Sequence, residues 1–201
     1  VLINAAMWQI DRGIDAGKVH VITNGADLTR FRPMEKDAAL VAELKLQGKF
    51  VAGYIGTHGM AHALGTLLDA ASLLEAEGRD DIQLLFLGGG ATREALMARA
   101  RQMRLANVHF LDSVPKDEVV RYWSLLDASI IHLRKTELFT TVIPSKLFEC
   151  MAMGIPVLHG VRGESARIVE HEGAGLTFEP ENAGELKERL ARSLTDALTL
   201  G

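Results

Sequence analysis

The chain of 201 residues has a single cysteine, Cys150, so an internal disulfide framework is excluded and a reducing compartment fits. It has no apolar run long enough to cross a bilayer, and no signal peptide is expected. Basic residues number 22 against 26 acidic ones, a net charge of −4. That balance argues against nucleic acid as a partner, and no run of Lys and Arg is present to hold an anionic membrane surface. The seven histidines show no ligand spacing, so no metal site is expected. The G-x-S-x-G elbow and the G-x-x-x-x-G-K-S/T phosphate loop are both absent, which excludes the hydrolases and NTPases that depend on them. Gly88-Gly-Gly90 is not G-x-G-x-x-G, and no acid follows at the spacing of a dinucleotide ribose contact, so NAD is not expected. No fixed-period repeat and no low-complexity linker divides residues 18–199.

What remains is a chain that is 48% hydrophobic and 24% charged, enough for a substantial core. Short apolar runs with little period-two alternation predict buried strands at Val19–Thr23, Phe50–Ile55, Ile82–Leu87, Val108–Leu111, Ala128–Leu133, Pro156–His159 and Gly175–Phe178. Between them, helical patterns cover Ala38–Leu46, Ala63–Ala76, Thr92–Arg104, Lys116–Leu125, Ser145–Met153, Glu164–Glu170 and Ala183–Leu198. Strand–helix alternation of this kind predicts an α/β fold, a doubly wound parallel sheet of Rossmann-like type. The last helix either packs on this sheet or reaches toward another domain. Residues 1–17 read as the end of a linker or preceding domain and residues 18–199 as one unit. The start at Val1, without Met, suggests a fragment of a longer protein.

In such sheets ligands bind beyond the carboxyl ends of the strands, so the loops there hold the candidate residues. Gly56-Thr-His-Gly59 follows a strand, and its glycines allow close approach to a pyrophosphate. His62, near the next helix start, is placed to donate to phosphate; an exposed helix-start histidine is the plainer explanation. The glycines at 88–90 permit positive φ and close packing near a ligand. Asp112-Ser-Val-Pro115 offers main-chain groups to a base edge and Val114 to its face, or simply an N-cap and Pro start for the helix at 116–125. The long segment from Arg134 to Ile143 brings backbone N–H groups of Thr140, Thr141 and their neighbours toward phosphate or sugar oxygens.

The most informative stretch is Pro144-Ser-Lys-Leu-Phe-Glu-Cys-Met-Ala-Met-Gly-Ile-Pro-Val157. Pro144 suits a first helical turn and Gly154 a C-terminal cap, with a strand after it. Ser145 and Glu149 are four apart and share a face. Lys146 sits in the first turn, where free N–H groups and the dipole favour an anion. One short helix thus offers a phosphate site and, a turn deeper, a carboxylate for sugar hydroxyls. Cys150, midway along an apolar helix, is expected to be buried and inert.

Three ordered segments resemble the C-terminal, donor-binding half of a GT-B glycosyltransferase of the family-four retaining type. They are Val19-His-Val-Ile-Thr-Asn-Gly-Ala-Asp-Leu-Thr-Arg-Phe-Arg-Pro33, Asn107-Val-His-Phe-Leu111 with Val114, and Glu149-Cys-Met-Ala-Met-Gly-Ile-Pro-Val157. The Pro-Ser-Lys-x-Phe-Glu form, with Gly56-Thr-His-Gly59, looks most like bacterial enzymes that add amino- or deoxy-sugars to surface polysaccharides. The resemblance implies transfer of a hexose from an NDP-sugar, with uridine as the expected base, to a glycan or lipid-linked acceptor, with retention and without a metal or other cofactor. It implies that a domain outside this chain holds the acceptor, that the fragment alone binds donor without turnover, and that the whole protein is cytoplasmic, with the inner face of the membrane as an open alternative.

Taken with the loop and helix readings above, donor binding is expected on Gly56, Thr57, His62, Gly88, Val114, Thr140, Thr141, Ser145, Lys146 and Glu149. Glu149 takes the family's ribose-binding role. The family's first carboxylate falls on Thr141; Glu137, twelve residues before Glu149, either replaces it through a longer loop or the role is lost. The family's Arg and Lys on the first glycine loop fall roughly on Thr57 and His62, which leaves Lys146 as the catalytic cation for the leaving diphosphate. A nucleotide-sugar epimerase of the same architecture and a non-catalytic binding domain remain as alternatives.

Overall fold

A computed structural model describes residues 10–20 and 24–200. Six strands form one sheet: β1 (Phe50–Ile55), β2 (Ile82–Leu87), β3 (Val108–Leu111), β4 (Ala128–His132), β5 (Val157–Gly160) and β6 (Gly175–Thr177). Their order is β3-β2-β1-β4-β5-β6, and each neighbouring pair is parallel. Among the described residues, helices α1 (Ala38–Glu43), α2 (Gly65–Ala76), α3 (Arg93–Met103), α4 (Val119–Trp123), α5 (Lys146–Met153), α6 (Glu164–His171) and α7 (Ala183–Leu200) flank the sheet. This is the doubly wound Rossmann-like order that the strand–helix alternation predicts. Its direction reverses between β1 and β4, which places the crevice at the Gly56 turn and the loop after β4.

The four inner strands, β2, β1, β4 and β5, are buried along their whole length and lack polar alternation because both of their faces are covered, while the edge strands β3 and β6 are half-buried. Along β1, Phe50, Ala52 and Tyr54 enter one core with Leu67, Leu74 and Phe86. Val51 and Ile55 enter the other, with Trp123, Leu147, Cys150 and Val157. Burial of each such large side chain contributes about 1.5–3 kcal/mol. Of the two placements for the last helix, α7 takes the sheet: Leu186 and Leu190 are fully buried in the first core.

Several expected boundaries move for local reasons. The helix expected at Ala38–Leu46 stops at Glu43, because Lys45 takes a left-handed φ of 56°. Ala63, at φ 44°, delays α2 to Gly65. The helix expected at Lys116–Leu125 shrinks to α4, since a turn bond from Glu118 N–H to Pro115 O (3.0 Å) occupies its start. Asp112 is therefore not its N-cap; it accepts from Arg93 Nη2 at 2.6 Å. Pro144 lies before α5 rather than in its first turn, with Ser145 as N-cap. Gly154 does cap α5, at φ 69°, while Ile155 N–H reaches back to Cys150 O at 3.0 Å. Of the strand expected at Val19–Thr23, Val19 and His20 are not in a strand and residues 21–23 lie outside the described residues.

Two buried histidines make the fold sensitive to acid. His58 is sealed among Tyr54, Phe86 and Phe110, and neither ring nitrogen has a hydrogen-bond partner. His159 is also buried, its Nε2 lying 2.9 Å from Ser165 Oγ. Burial pushes each imidazole from the ordinary 6.5 down to about 4. Between those values the unfolded chain binds protons that the folded chain does not, so stability is lost as pH falls through that range. The melting temperature is expected to drop on acidification from pH 6.5 to 4. Scanning calorimetry across that range should show a shallower slope for His58→Leu; an unchanged slope would remove His58 from the effect.

Candidate functional site

The first wall of the site is built from the turns after β1 and β2. Gly56 N–H donates to Leu87 O and His58 N–H to Gly89 O, both at 2.8 Å. Thr92 closes the pair, its N–H and hydroxyl both donating to His58 O. Gly88 and Gly90 have φ values of 138° and 149°, so the expectation of positive φ in this loop holds. A Cβ on Gly88 would overlap the carbonyl of Gly56, so only glycine lets the two turns touch. Arg93 braces the loop, reaching Gly88 O at 3.2 Å and Asp112 at 2.6 Å.

These turns enclose a crevice of about 260 Å³ whose lining includes Gly56, Thr57, Gly88, Ser113, Val114 and Val119. The structure thus brings together Gly56, Thr57, Gly88 and Val114, four candidates from three separate loops. Lys146 comes in from α5. Its side chain lies so close to Gly56 that a Cβ there would overlap it, and its Nζ stands 4.9 Å from the Tyr54 ring centroid. Tyr54 in turn donates its hydroxyl to Thr57 O at 2.8 Å. His62, in the 3₁₀ turn Met60–His62, packs on the edge of Tyr54 at 5.6 Å. Its carbonyl accepts from His132 Nδ1 at 2.8 Å. Burial lowers the pKa of His62, with Lys146 adding to the effect, so the neutral imidazole is favoured there.

Burial disfavours the charge on both functional groups of α5. It holds the Lys146 ammonium below the usual lysine range, against the opposing pull of Glu149. It raises the Glu149 carboxyl, against Lys146 and Lys116. The two side chains share one electrostatic environment, yet no ion pair joins them. A charge that is partly desolvated and not neutralised by a direct partner is poised for a ligand of opposite sign. Cys150, one turn inward, is fully buried with its thiol pushed up to about 12, in keeping with an inert core residue.

The other candidates fall elsewhere. Ser145 is exposed and makes no side-chain cap bond. The expected free N–H groups at the start of α5 are partly occupied, since Leu147 N–H donates to Pro144 O and Phe148 N–H to Ser145 O, each at 3.1 Å. Thr140 and Thr141 lie in the 3₁₀ turn Glu137–Thr141 and do not line the Gly56 crevice. Thr140 donates its hydroxyl to Glu137 O at 2.8 Å, and Val142 N–H donates to Phe139 O, so the expected cradle of free donors is reduced by the turn's own bonds. Glu137 is exposed and lines a separate pocket with Arg134 and Arg162. Sequence reasoning missed Tyr54, Lys116 and Arg93. Only Arg93, three residues beyond Gly90, carried a local signal. Among the described residues no group of three or more His, Cys, Asp or Glu side chains converges as a metal site would, and no helix is long and apolar enough to cross a membrane.

The family of glycosyl transferases group 1 matches residues 49–196, and the chain belongs to it. It is 29% identical over 192 residues to D-inositol 3-phosphate glycosyltransferase of Nocardia farcinica, covering 92% of this chain and 41% of that protein. It is also 29% identical over 153 residues to TuaH of Bacillus subtilis, named as a candidate teichuronic acid biosynthesis glycosyltransferase, covering 75% of this chain and 36% of that one. The chain thus spans about two-fifths of the curated relatives it matches. Among solved structures, Anabaena HepE in complex with UDP and glucose superposes with a TM-score of 0.76 at 21% identity, over 96% of this chain and 52% of that one. The C-terminal domain of the group 1 protein LpcC of Francisella tularensis gives 0.69 at 20% identity, over 87% and 90%. The fold is that of a GT-B C-terminal domain.

Proposed function

We propose that residues 18–199 are the donor-binding domain of a retaining glycosyltransferase that moves a hexose from a UDP-sugar to a glycan or lipid-linked acceptor. Residues 1–17 would then belong to a linker or preceding domain. The observation that carries this reading is the Lys146 side chain, partly desolvated and without an ion pair among the described residues, packed against the glycine turn at Gly56, with the half-buried Glu149 three residues on along α5 close enough to act on its charge. The uracil fits the crevice lined by Gly88, Ser113 and Val114. Glu149 accepts from the ribose hydroxyls. Lys146, with the dipole of α5, neutralises the diphosphate, and Thr57 and His62 stand beside it.

Charge develops on the diphosphate as the sugar's anomeric C–O bond breaks, and Lys146 opposes that charge in a site of low dielectric. The incoming hydroxyl forms the new C–O bond on the same face, and its proton passes to a phosphate oxygen of the leaving group. This course needs no protein nucleophile and no metal. HepE, whose structure was solved with UDP and glucose, supports the choice of UDP, and TuaH, named for teichuronic acid biosynthesis, supports a role in building a glycan. The likeness of Pro144–Glu149 to the bacterial subgroup supports an amino- or deoxy-hexose. The acceptor site lies in a domain beyond this chain, at the cytoplasmic side or the inner face of the membrane. Thr140 and Thr141 contribute through the backbone of their turn.

Calorimetric titration of the chain with UDP should give millimolar binding and no turnover of UDP-hexoses. Absence of both heat and thermal shift at millimolar UDP would sink the reading. Glu149→Ala is expected to weaken UDP by about tenfold, the worth of a charge-assisted hydrogen bond, and 2′-deoxy-UDP by less. Equal losses for the two ligands would take Glu149 off the ribose.

A further inference from the structure

Beyond the carboxyl ends of β4, β5 and β6 lies a second pocket, of about 290 Å³, with none of the Gly56 crevice residues in its lining. Three of its lining residues, Arg134, Lys135 and Arg162, are cations, against one acid, Glu137. Lys135 and Arg162 share Glu179, at 2.9 Å each. Arg134 has no carboxylate partner among the described residues, so its planar fork is left for a ligand.

The walls are held in place before any ligand arrives. Arg134 N–H donates to Ala61 O at 2.8 Å, tying the pocket's edge to the turn that carries His62. Lys135 N–H donates to Glu181 Oε2 at 2.8 Å, and Glu181 N–H to His132 Nε2 at 2.9 Å. A Cβ on Gly163 would overlap Thr140 O, so the loop after β5 is seated on the turn before α5. Phe139 and Pro180 supply apolar surface, while Glu137 and Thr140 supply oxygens. An apolar floor suits the C–H face of a pyranose, the oxygens suit its hydroxyls, and an unpaired guanidinium suits a carboxylate bidentately.

We propose that this pocket binds a sugar residue bearing a carboxylate, a hexuronate, next to the nucleotide-sugar site. The proposal rests on the reading of that neighbouring site given above. The hexuronate comes either from the acceptor glycan, which then reaches from the domain beyond this chain onto this pocket, or from the donor itself, where it stands in place of the amino- or deoxy-hexose, and the two sources are separable by experiment.

The chain is titrated with methyl β-glucuronide, methyl β-glucoside, UDP, UDP-glucose and UDP-glucuronate, following backbone amide shifts and heat. The glucuronide is expected to bind about tenfold more tightly than the glucoside, the worth of a charge-assisted contact. If saturating UDP-glucose leaves that binding intact, the residue belongs to the acceptor. If UDP-glucuronate binds about tenfold better than UDP-glucose and displaces the glucuronide, it belongs to the donor. Arg134→Gln should abolish the preference, and Arg134→Lys should restore part of it, with UDP affinity unchanged in both. The proposal is overturned if neither acidic probe outbinds its neutral counterpart, or if Arg134→Gln keeps the preference. Loss of UDP binding alone, with the glucuronide preference intact, would instead overturn the nucleotide reading.

Discussion

Replacing Lys146 with Met is expected to weaken UDP by at least tenfold while making the unliganded chain more stable. A charge-assisted contact to phosphate contributes about 1.5–3 kcal/mol, which is roughly a tenfold to hundredfold loss when it is removed. The same ammonium is a cost in the absence of ligand, because burial holds its pKa below the usual lysine value. Removing an unpaired buried charge and keeping its apolar stem offsets the lost contact with Tyr54. A net gain of about 1 kcal/mol would raise the melting temperature by about 2–4 °C in a chain of this size. The pH dependence has a matching sign. As pH rises from neutrality toward 10.5, the folded chain sheds this proton before the unfolded chain does, so stability climbs. The Met variant should lack that climb. Calorimetry with and without UDP measures both effects, and unchanged UDP affinity in the variant would end the assignment of Lys146 to the diphosphate.

Gly88→Ala is expected to be among the most damaging single substitutions in the chain. At φ 138° an L side chain is strained, and its Cβ would overlap the carbonyl of Gly56, a backbone atom that has no rotamer to change. Relief means separating the turns after β1 and β2, which breaks the bonds from Gly56 to Leu87 and from His58 to Gly89. Backbone strain and lost bonds together come to about 3 kcal/mol or more. The melting temperature should fall by about 6–12 °C. UDP binding should fall with it, because the same glycines shape the crevice. Gly78→Ala is the control: its φ is 70° but nothing lies within 4 Å of the added methyl, so it should cost about 1 kcal/mol. Equal denaturant midpoints for the two variants would show that contact between the loops does not matter.

Much of this architecture was legible in the sequence. Phe50–Ile55, Ile82–Leu87 and Val108–Leu111 form strands with the bounds that their apolar runs predict. Runs with no polar face have to be covered twice, and six such strands alternating with helices admit few arrangements other than a doubly wound sheet. The α5 segment was legible for the same reason: its glycine stop at Gly154 and the four-residue spacing of Ser145 and Glu149 are local matters of helical geometry. Short helices were read less well. Where Lys45, Ala63 and the turn at Pro115–Glu118 break the pattern, the break comes from single-residue dihedrals and turn bonds that periodicity does not record.

The candidate site was half legible. Gly56, Gly88 and Val114 could be placed at strand ends, because the position of a ligand relative to a parallel sheet follows from chain direction alone. Their meeting in one crevice with Thr57 depends on β1, β2 and β3 standing side by side. Thr140 and Thr141 were placed with Lys146 by proximity in sequence, yet the Glu137–Thr141 turn uses its own bonds to fold them away from that crevice.

By itself, then, the sequence determined the sheet, the two-sided core and the glycine stop of α5, since each follows from spacing within about a dozen residues. The tertiary structure alone decided that Lys146 lies over Tyr54, that His58 is sealed among aromatic rings, and that Arg134 and Arg162 meet across one pocket. Those contacts join loops far apart in the chain, and strand order brings them within reach. No local pattern encodes an order that is settled by how both faces of the sheet become buried at once.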